Sequence, residues 1–269
     1  MDHTDMLSIK AFSDFTGINE STLRYYDKIG LLSPEFRGAN NYRYYSPVQT
    51  ITVDFIKVLI KVGVPLSTIR NMHKSRTPQS VLALLRQQEN ILDERLFELQ
   101  TAYSILHTYC NNIESGIVAE LRDISVQKVG DTRIILGPEA DFSNAKTFYE
   151  PFMQFCDAAH EKKIDLHYPI GAYHENIEVF LDAPGRPTRW FSLDPRGNSK
   201  RSAGQYLVAY HQGYYGEFEG IPQKLVAYAQ ANNIAFRGPV YVVYLLDEIS
   251  VADHKRYVSQ IMVGVAKKR

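Results

Sequence analysis

From Leu82 to Ile113 the chain places Leu82, Leu85, Glu89, Leu92, Leu96, Leu99, Tyr103, Leu106, Cys110 and Ile113 at alternating steps of four and three residues. Glu89 is the only charged member. That spacing belongs to one long helix, opened by Thr77-Pro78 and ended at Gly116, with about five heptads of a narrow apolar seam. One helix cannot cover its own seam. The seam could pack on the chain's own second domain, but its narrowness and strict period favour pairing with a second copy as a coiled coil. Leu82, Leu85, Leu92, Leu96, Leu99, Tyr103, Leu106 and Ile113 are the expected dimer residues.

Upstream, Ile9, Phe12 and Phe15 recur at three-residue spacing, and Gly17 breaks the run where a tight helix-to-helix turn would sit. Glu20 to Ile29 reads as a second helix with Leu23 inward and Thr22, Arg24, Tyr25 and Tyr26 on other faces. Such a helix can enter a major groove and bond to phosphates and base edges. The segment RGANNYRYYSP follows and adds Arg37, Asn40, Tyr42, Arg43 and Tyr44. Ser46-Pro47 then starts a helix to about Val62, with Val48, Ile51, Phe55, Val58, Leu59 and Val62 as its expected buried stripe and Lys57 and Lys61 sharing one face toward phosphate. Gly63 ends it, and Pro65 opens a short fourth helix.

The formal net charge of the whole chain is zero, but its distribution is uneven. Between Ser8 and Arg76, ten Lys/Arg stand against five Asp/Glu, whereas Thr77 to Val118 carries two against five. The positive end is the one with the paired helices, as binding to the phosphate backbone requires.

The glycine turn, LRYYDKIGLL and the NYRYY cluster together resemble the amino-terminal domain of the MerR family of transcription regulators. The resemblance implies that LRYY opens the recognition helix and that NYRYY forms a hairpin wing against the DNA backbone. It also implies an antiparallel homodimer on double-stranded promoter DNA, and an effect on RNA polymerase through the shared promoter, whose overlong spacer is kinked and untwisted when an effector is bound.

Beyond Val118 the texture changes to short strands, aromatics and Gly/Pro turns. Strands are expected at Ile124 to Val129 and Thr132 to Leu136, joined at Gly130-Asp131. A helix is expected over Ser143 to Lys163 with Phe148, Phe152, Phe155 and Ala159 inward, then strands at Gly171 to His174 and Arg189 to Leu193. The order returns with strand Gln205 to Tyr210, helix Phe218 to Asn232, and strands Val240 to Asp247 and Tyr257 to Ala266. A unit of strand, helix and hairpin used twice leaves a cleft at its pseudo-twofold seam, a usual place for a ligand.

GQYLVAYHQGYYGEF, PVYVVYLLDE and YVSQIMVGV resemble the GyrI-like effector-binding domain, and behind a MerR-type amino terminus the whole chain is similar to BmrR-type multidrug sensors. The resemblance implies a bulky lipophilic or aromatic effector, often cationic, and pocket tyrosines at Tyr149 and Tyr257. Tyr149, Phe152, Tyr173, Trp190, Phe191, Tyr206, Tyr214, Phe218, Tyr244 and Tyr257 are the candidate ligand residues, since aromatic faces hold flat rings and organic cations. Val242 departs from the subfamily by standing where an acid meets the ligand's charge, and Gln260 stands where another acid is often found. A neutral ligand is then easier to accept; Glu175, Glu178 and Glu248 are the substitutes for the missing charge.

The remaining features bound the reading. Cys110 and Cys156 provide neither a disulfide framework nor a thiolate pair for a metal, no run is long enough to span a bilayer, and no secretory leader is visible, so a cytoplasmic address is expected, with no cofactor and no metal. No HExxH, GxSxG or phosphate-loop motif stands in a suitable context. The expected fold is α+β and multidomain: a winged helix–turn–helix over residues 1–76, a coiled-coil helix over 77–117, and a pseudo-twofold antiparallel sheet with helices over 118–269. The expected function is a ligand-responsive activator and not an enzyme, the alternatives being a GyrI-like small-molecule hydrolase and a constitutive DNA-bending protein.

Overall fold

The structure, a computed structural model, describes residues 5–39, 41–74, 76–119, 121, 124–142, 149–161 and 166–267. The chain divides into two compact units, Met1–Leu99 and Gln100–Arg269. The division falls inside the longest helix.

In the first unit β1 (Leu7–Ser8) leads into α1 (Ile9–Thr16), where the Ser8 hydroxyl accepts from the Ala11 amide at 3.2 Å. Gly17 ends α1 in the left-handed region at φ 69°, a conformation that glycine adopts without the Cβ penalty. α2 (Glu20–Ile29) is capped by Asn19, whose side-chain oxygen accepts from the Thr22 amide at 2.8 Å, and it stops at Gly30 with φ 71°. β2 (Phe36–Arg37) and β3 (Arg43–Tyr45) form the wing, and β1 pairs with β3 to make a three-stranded antiparallel sheet. α3 (Gln49–Lys61) and α4 (Leu66–Lys74) close the core, in which the Phe12 and Tyr45 rings stack at 4.5 Å.

Two expectations about this core fail. Phe15 is 74% exposed, because α1 buries Ile9, Phe12 and Thr16, and residue 15 falls outside that stripe. On α3 and its caps the buried stripe is Val53, Ile56 and Leu59, with Phe55 and Val62 partly buried against the core, while Val48, Ile51 and Val58 are exposed. The helix carries apolar residues on more than one face, so spacing alone could not choose the inner one.

α5 (Pro78–Ile117) runs for 40 residues. Leu85 packs on the first unit's core, and Leu92 and Ile113 are partly buried. Leu82, Leu96, Leu99, Tyr103 and Leu106 are exposed, Tyr103 to 70%. An apolar seam thus lies open along most of the helix in the single chain.

The second unit is an eight-stranded antiparallel sheet with helices. In chain order it contains β4 (Ser125–Val129), β5 (Thr132–Glu139), α6 (Tyr149–Glu161), β6 (Ile170–His174), α7 (Ile177–Asp182), β7 (Arg189–Ser192), β8 (Ser199–Arg201), β9 (Gly204–Gln212), α8 (Ile221–Ala231), β10 (Ile234–Leu246) and β11 (Val258–Lys267). The strand order is β4-β9-β11-β10-β6-β7-β5-β8. Each half runs strand, helix, strand, strand (β5-α6-β6-β7 and β9-α8-β10-β11), and the two middle strands, β6 and β10, pair antiparallel at the centre. A pseudo-twofold axis passes between them. The short strand before each half crosses over, β4 to β9 and β8 to β5.

β4 and β5 therefore do not form a hairpin, although only Gly130 and Asp131 separate them. Three peptide steps reach about 11 Å at most, so the two ends of the strand order must come together and the sheet curls. One face carries the core of Leu207, Val242, Ile261 and Val263 with Phe180 and Leu225 from α7 and α8; the inner face carries Ile134, Phe191, Val208, Tyr241 and Met262. α7 and β8 were not foreseen. The expected helix over 143–163 is seen as α6, and Phe148 lies outside the described residues.

Candidate DNA-reading surface and ligand cavity

On the first unit, Arg24 and Tyr25 are exposed on α2, and the Arg24 guanidinium bonds to Glu20 one turn earlier at 2.9 Å. Thr22 is half-buried beside the helix cap. Tyr26, expected on the reading face, sits instead in the core at 7% exposure, because it shares a stripe with Leu23. Tyr42 is exposed on the wing, and Tyr44 stacks on Phe36 at 4.7 Å. Asn40 lies outside the described residues. On α3, Lys61 is exposed, while the Lys57 ammonium donates to the Thr16 carbonyl and approaches Asp54 at 3.4 Å.

Asp27 was not singled out from the sequence, yet it organises this surface. Its Oδ2 accepts from Arg37 Nη2 at 2.6 Å and from Arg43 Nε at 2.7 Å, with the carboxylate side chain 6% exposed. The two wing arginines are thereby tied to α2. Charge-assisted bonds of this kind are short and directional, so helix and wing present one preformed surface. The sequence signal was available in RYYD, an acid among bases, but only the fold shows which bases it meets.

In the second unit a cavity of about 220 Å³ is lined by Tyr109, Tyr149, Phe152, Leu166, Tyr168, Pro169, Ile170, Trp190, Tyr215, Tyr244, Asp247, Glu248 and Ile249. Trp190 and Phe152 meet edge to face at 5.6 Å, and Tyr215 meets Tyr244 edge to face at 4.6 Å. Of the expected ligand residues, Tyr149, Phe152, Trp190 and Tyr244 line the cavity. Tyr214 and Tyr257 stand behind it: the Tyr149 and Tyr214 hydroxyls are bonded to each other, and the Tyr257 ring lies 5.3 Å from that of Tyr215.

The other four lie elsewhere. Tyr173 and Phe191 pack edge-on against Tyr241 at 5.6 and 5.8 Å, Tyr206 bonds to the Ser202 carbonyl at 2.8 Å, and Phe218 packs on Phe180 and His211 in the core. For the three on strands, alternation explains the split, since neighbours such as Trp190 and Phe191 face opposite sides of the sheet. Tyr109, Tyr168 and Tyr215 line the cavity without having been foreseen. Tyr109 belongs to α5 but lies outside its heptad seam positions.

The acid of this cavity is also not where the family pattern puts it. Val242 is fully buried in the core beneath α7 and α8 and does not line the cavity. Asp247 and Glu248, just past β10, stand at the mouth, whereas Glu175 and Glu178 are exposed away from it. The Tyr215 hydroxyl donates to Glu248, and burial together with that bond raises the Tyr215 pKa, so the phenol stays protonated. Its bond to Tyr149, with burial adding to it, pushes Tyr214 up to about 12. Burial also raises the Asp247 carboxyl, opposed by the Ile249 amide that donates to it at 3.1 Å. Aromatic walls with carboxylates at the rim can hold a flat or cationic organic molecule.

Residues 8–45 match the model of the MerR family regulatory protein. The amino-terminal unit carries a MerR-family DNA-binding domain. Among curated relatives, the chain is 25% identical to the multidrug-efflux transporter 2 regulator of Bacillus subtilis over 260 residues, covering 94% of each. It is 30% identical to the transcriptional regulator BrlR of Pseudomonas aeruginosa over 125 residues, 42% of this chain and 46% of that one. Among solved structures, the cryo-EM structure of an EcmrR–DNA complex in EcmrR-RPo aligns over 97% of this chain and 100% of that one, at 16% identity and a TM-score of 0.40. Both curated relatives are regulators. Among the described residues, no helix is long and apolar enough to cross a membrane and no His/Cys/Asp/Glu group could hold a metal ion.

Proposed function

We propose that the chain is a ligand-responsive transcription activator, which binds promoter DNA as a homodimer and distorts it when a bulky lipophilic or aromatic compound occupies the cavity of the second unit. The observation that carries this reading is the aromatic cavity, walled by Trp190, Phe152 and Tyr244 and rimmed by Asp247 and Glu248, on a chain that also has a MerR-family domain. The similarity to a multidrug-efflux transporter regulator over nearly the whole chain supports it.

Arg24, Tyr25, Tyr42 and the wing held by Asp27 would make the DNA contacts, with Lys61 touching phosphate. The open seam of Leu82, Leu96, Leu99, Tyr103 and Leu106 supports pairing of α5 with a second copy. Two reading helices would then meet a pseudo-palindromic site in the cytoplasm and act on RNA polymerase through the shared promoter. Untwisting or kinking such a site costs on the order of 1–6 kcal/mol, which the helix and wing contacts have to offset. The carboxylates at the rim favour a cation over a neutral ring of equal size, and with this binding role the cavity needs no turnover.

The test is transcription in vitro from the DNA upstream of the protein's own gene, with and without tetraphenylphosphonium and with a panel of neutral aromatics. Activation that rises with ligand and is lost in Trp190→Ala supports the reading. Equal transcription with and without every ligand would overturn it, and turnover of a bound compound would replace it with the hydrolase alternative.

A further inference from the structure

A second cavity, of about 500 Å³, lies on the inner face of the curled sheet and is unrelated to the aromatic one. Its floor is apolar, formed by Val243 and Leu245 of β10, and its roof is the last turns of α5, where Asn111 faces it. Val243 and Leu245 alternate with Tyr244, so the two cavities open on opposite faces of one strand.

Its distinctive member is Arg201, which is partly buried and has no carboxylate partner among the described residues. One terminal nitrogen donates to Thr132 Oγ1 at 2.8 Å and the other meets the Met262 sulfur at 3.5 Å. Its Nε is buried and has no hydrogen-bond acceptor among the described residues. The other charged residues lining the cavity are Arg133, whose guanidinium donates to the Gly197 carbonyl at 3.1 Å, and Asp131, which is paired with Lys200 at 3.0 Å. Burial lowers the Arg201 pKa, with only the Tyr206 and Tyr241 phenols opposing it. An unpaired buried cation is costly, and an anion in the adjoining cavity would offset that cost.

We infer that this cavity binds a small organic carboxylate, with its anionic end on Arg201 and Arg133 and its apolar body over Val243 and Leu245. Inorganic phosphate would satisfy the charge but leave the apolar floor uncovered, so an organic anion fits better. The site is independent of the aromatic cavity and of what fills it.

The experiment is calorimetric titration of the full chain with 4-phenylbutyrate, its neutral amide and inorganic phosphate. Saturable binding of 4-phenylbutyrate is expected, weaker by about tenfold or more for the amide and in Arg201→Met, the scale of a lost charge-assisted bond. Asn111→Trp, on the exposed helix surface, should block the cavity without touching the arginine, and it keeps the test valid should Arg201→Met fold poorly. Tetraphenylphosphonium should not compete. No saturable binding, equal binding of the amide, equal binding of phosphate, or unchanged affinity in Asn111→Trp would each overturn the assignment.

Discussion

Asp27→Asn separates two electrostatic effects that act in opposite directions on DNA binding. The substitution removes a negative charge from the reading surface, which by itself strengthens attraction to any duplex. It also loosens the tie between wing and helix. Hydrogen bonds to charged partners contribute about 1.5–3 kcal/mol each, and two end on the Asp27 oxygen. The Arg37 and Arg43 side chains keep 40% and 25% of their exposure, so water recovers part of the loss, and the asparagine oxygen keeps one acceptor. A net weakening of about 1–3 kcal/mol in the wing's preferred geometry remains, equivalent to about 5- to 150-fold in specific affinity. Fluorescence anisotropy with the upstream duplex and a scrambled duplex over a range of salt reads both effects. Specific affinity should fall, scrambled affinity should hold or rise, and the salt slope should steepen by about 0.9 for the one uncompensated charge. Parallel strengthening on both duplexes would show that Asp27 only repels DNA, and the preformed-surface argument would be wrong.

Three further outcomes are expected. Phe12→Ala removes a fully buried ring stacked on Tyr45 and should lower stability by about 3–5 kcal/mol, read by chemical denaturation. Leu99→Glu, at a seam position 67% exposed in the single chain, should give monomers in sedimentation while the MerR-type unit keeps its helical signal; an unchanged dimer would remove the seam from the account. His174 is fully buried and burial lowers its pKa from 6.5 to about 4, so between those values the unfolded chain takes up a proton that the folded one refuses. Stability should therefore fall as pH drops through that window, by up to about 3 kcal/mol, and His174→Phe should flatten the profile.

Much of the architecture was legible in the chain because local signals agreed with one another. α2 spans Glu20–Ile29 as expected, between the caps Asn19 and Gly30, and Pro78 and Gly116 bracket α5 to within a residue. The β4–β9 and β5–β8 pairings were not legible, because a two-residue link ordinarily reads as a hairpin and crossing to the other half of the sheet depends on long-range closure. The inner stripe of α3 was hidden by apolar residues on its outer face, and Tyr26 by its place next to Tyr25. For the cavity, resemblance pointed at Val242, while the curl of the sheet brings Asp247 and Glu248 to the rim. Tyr109 shows the same limit: a heptad pattern names one face of a helix and is silent about the others.

The most direct test of the central claim is energy transfer between dyes at the two ends of the upstream duplex, bound by the full chain, before and after addition of tetraphenylphosphonium. Ligand should change the end-to-end distance on wild-type protein and leave it unchanged on Trp190→Ala. The same distance with and without ligand, under conditions where Trp190 fluorescence shows the cavity to be filled, would contradict the claim that occupancy reshapes DNA.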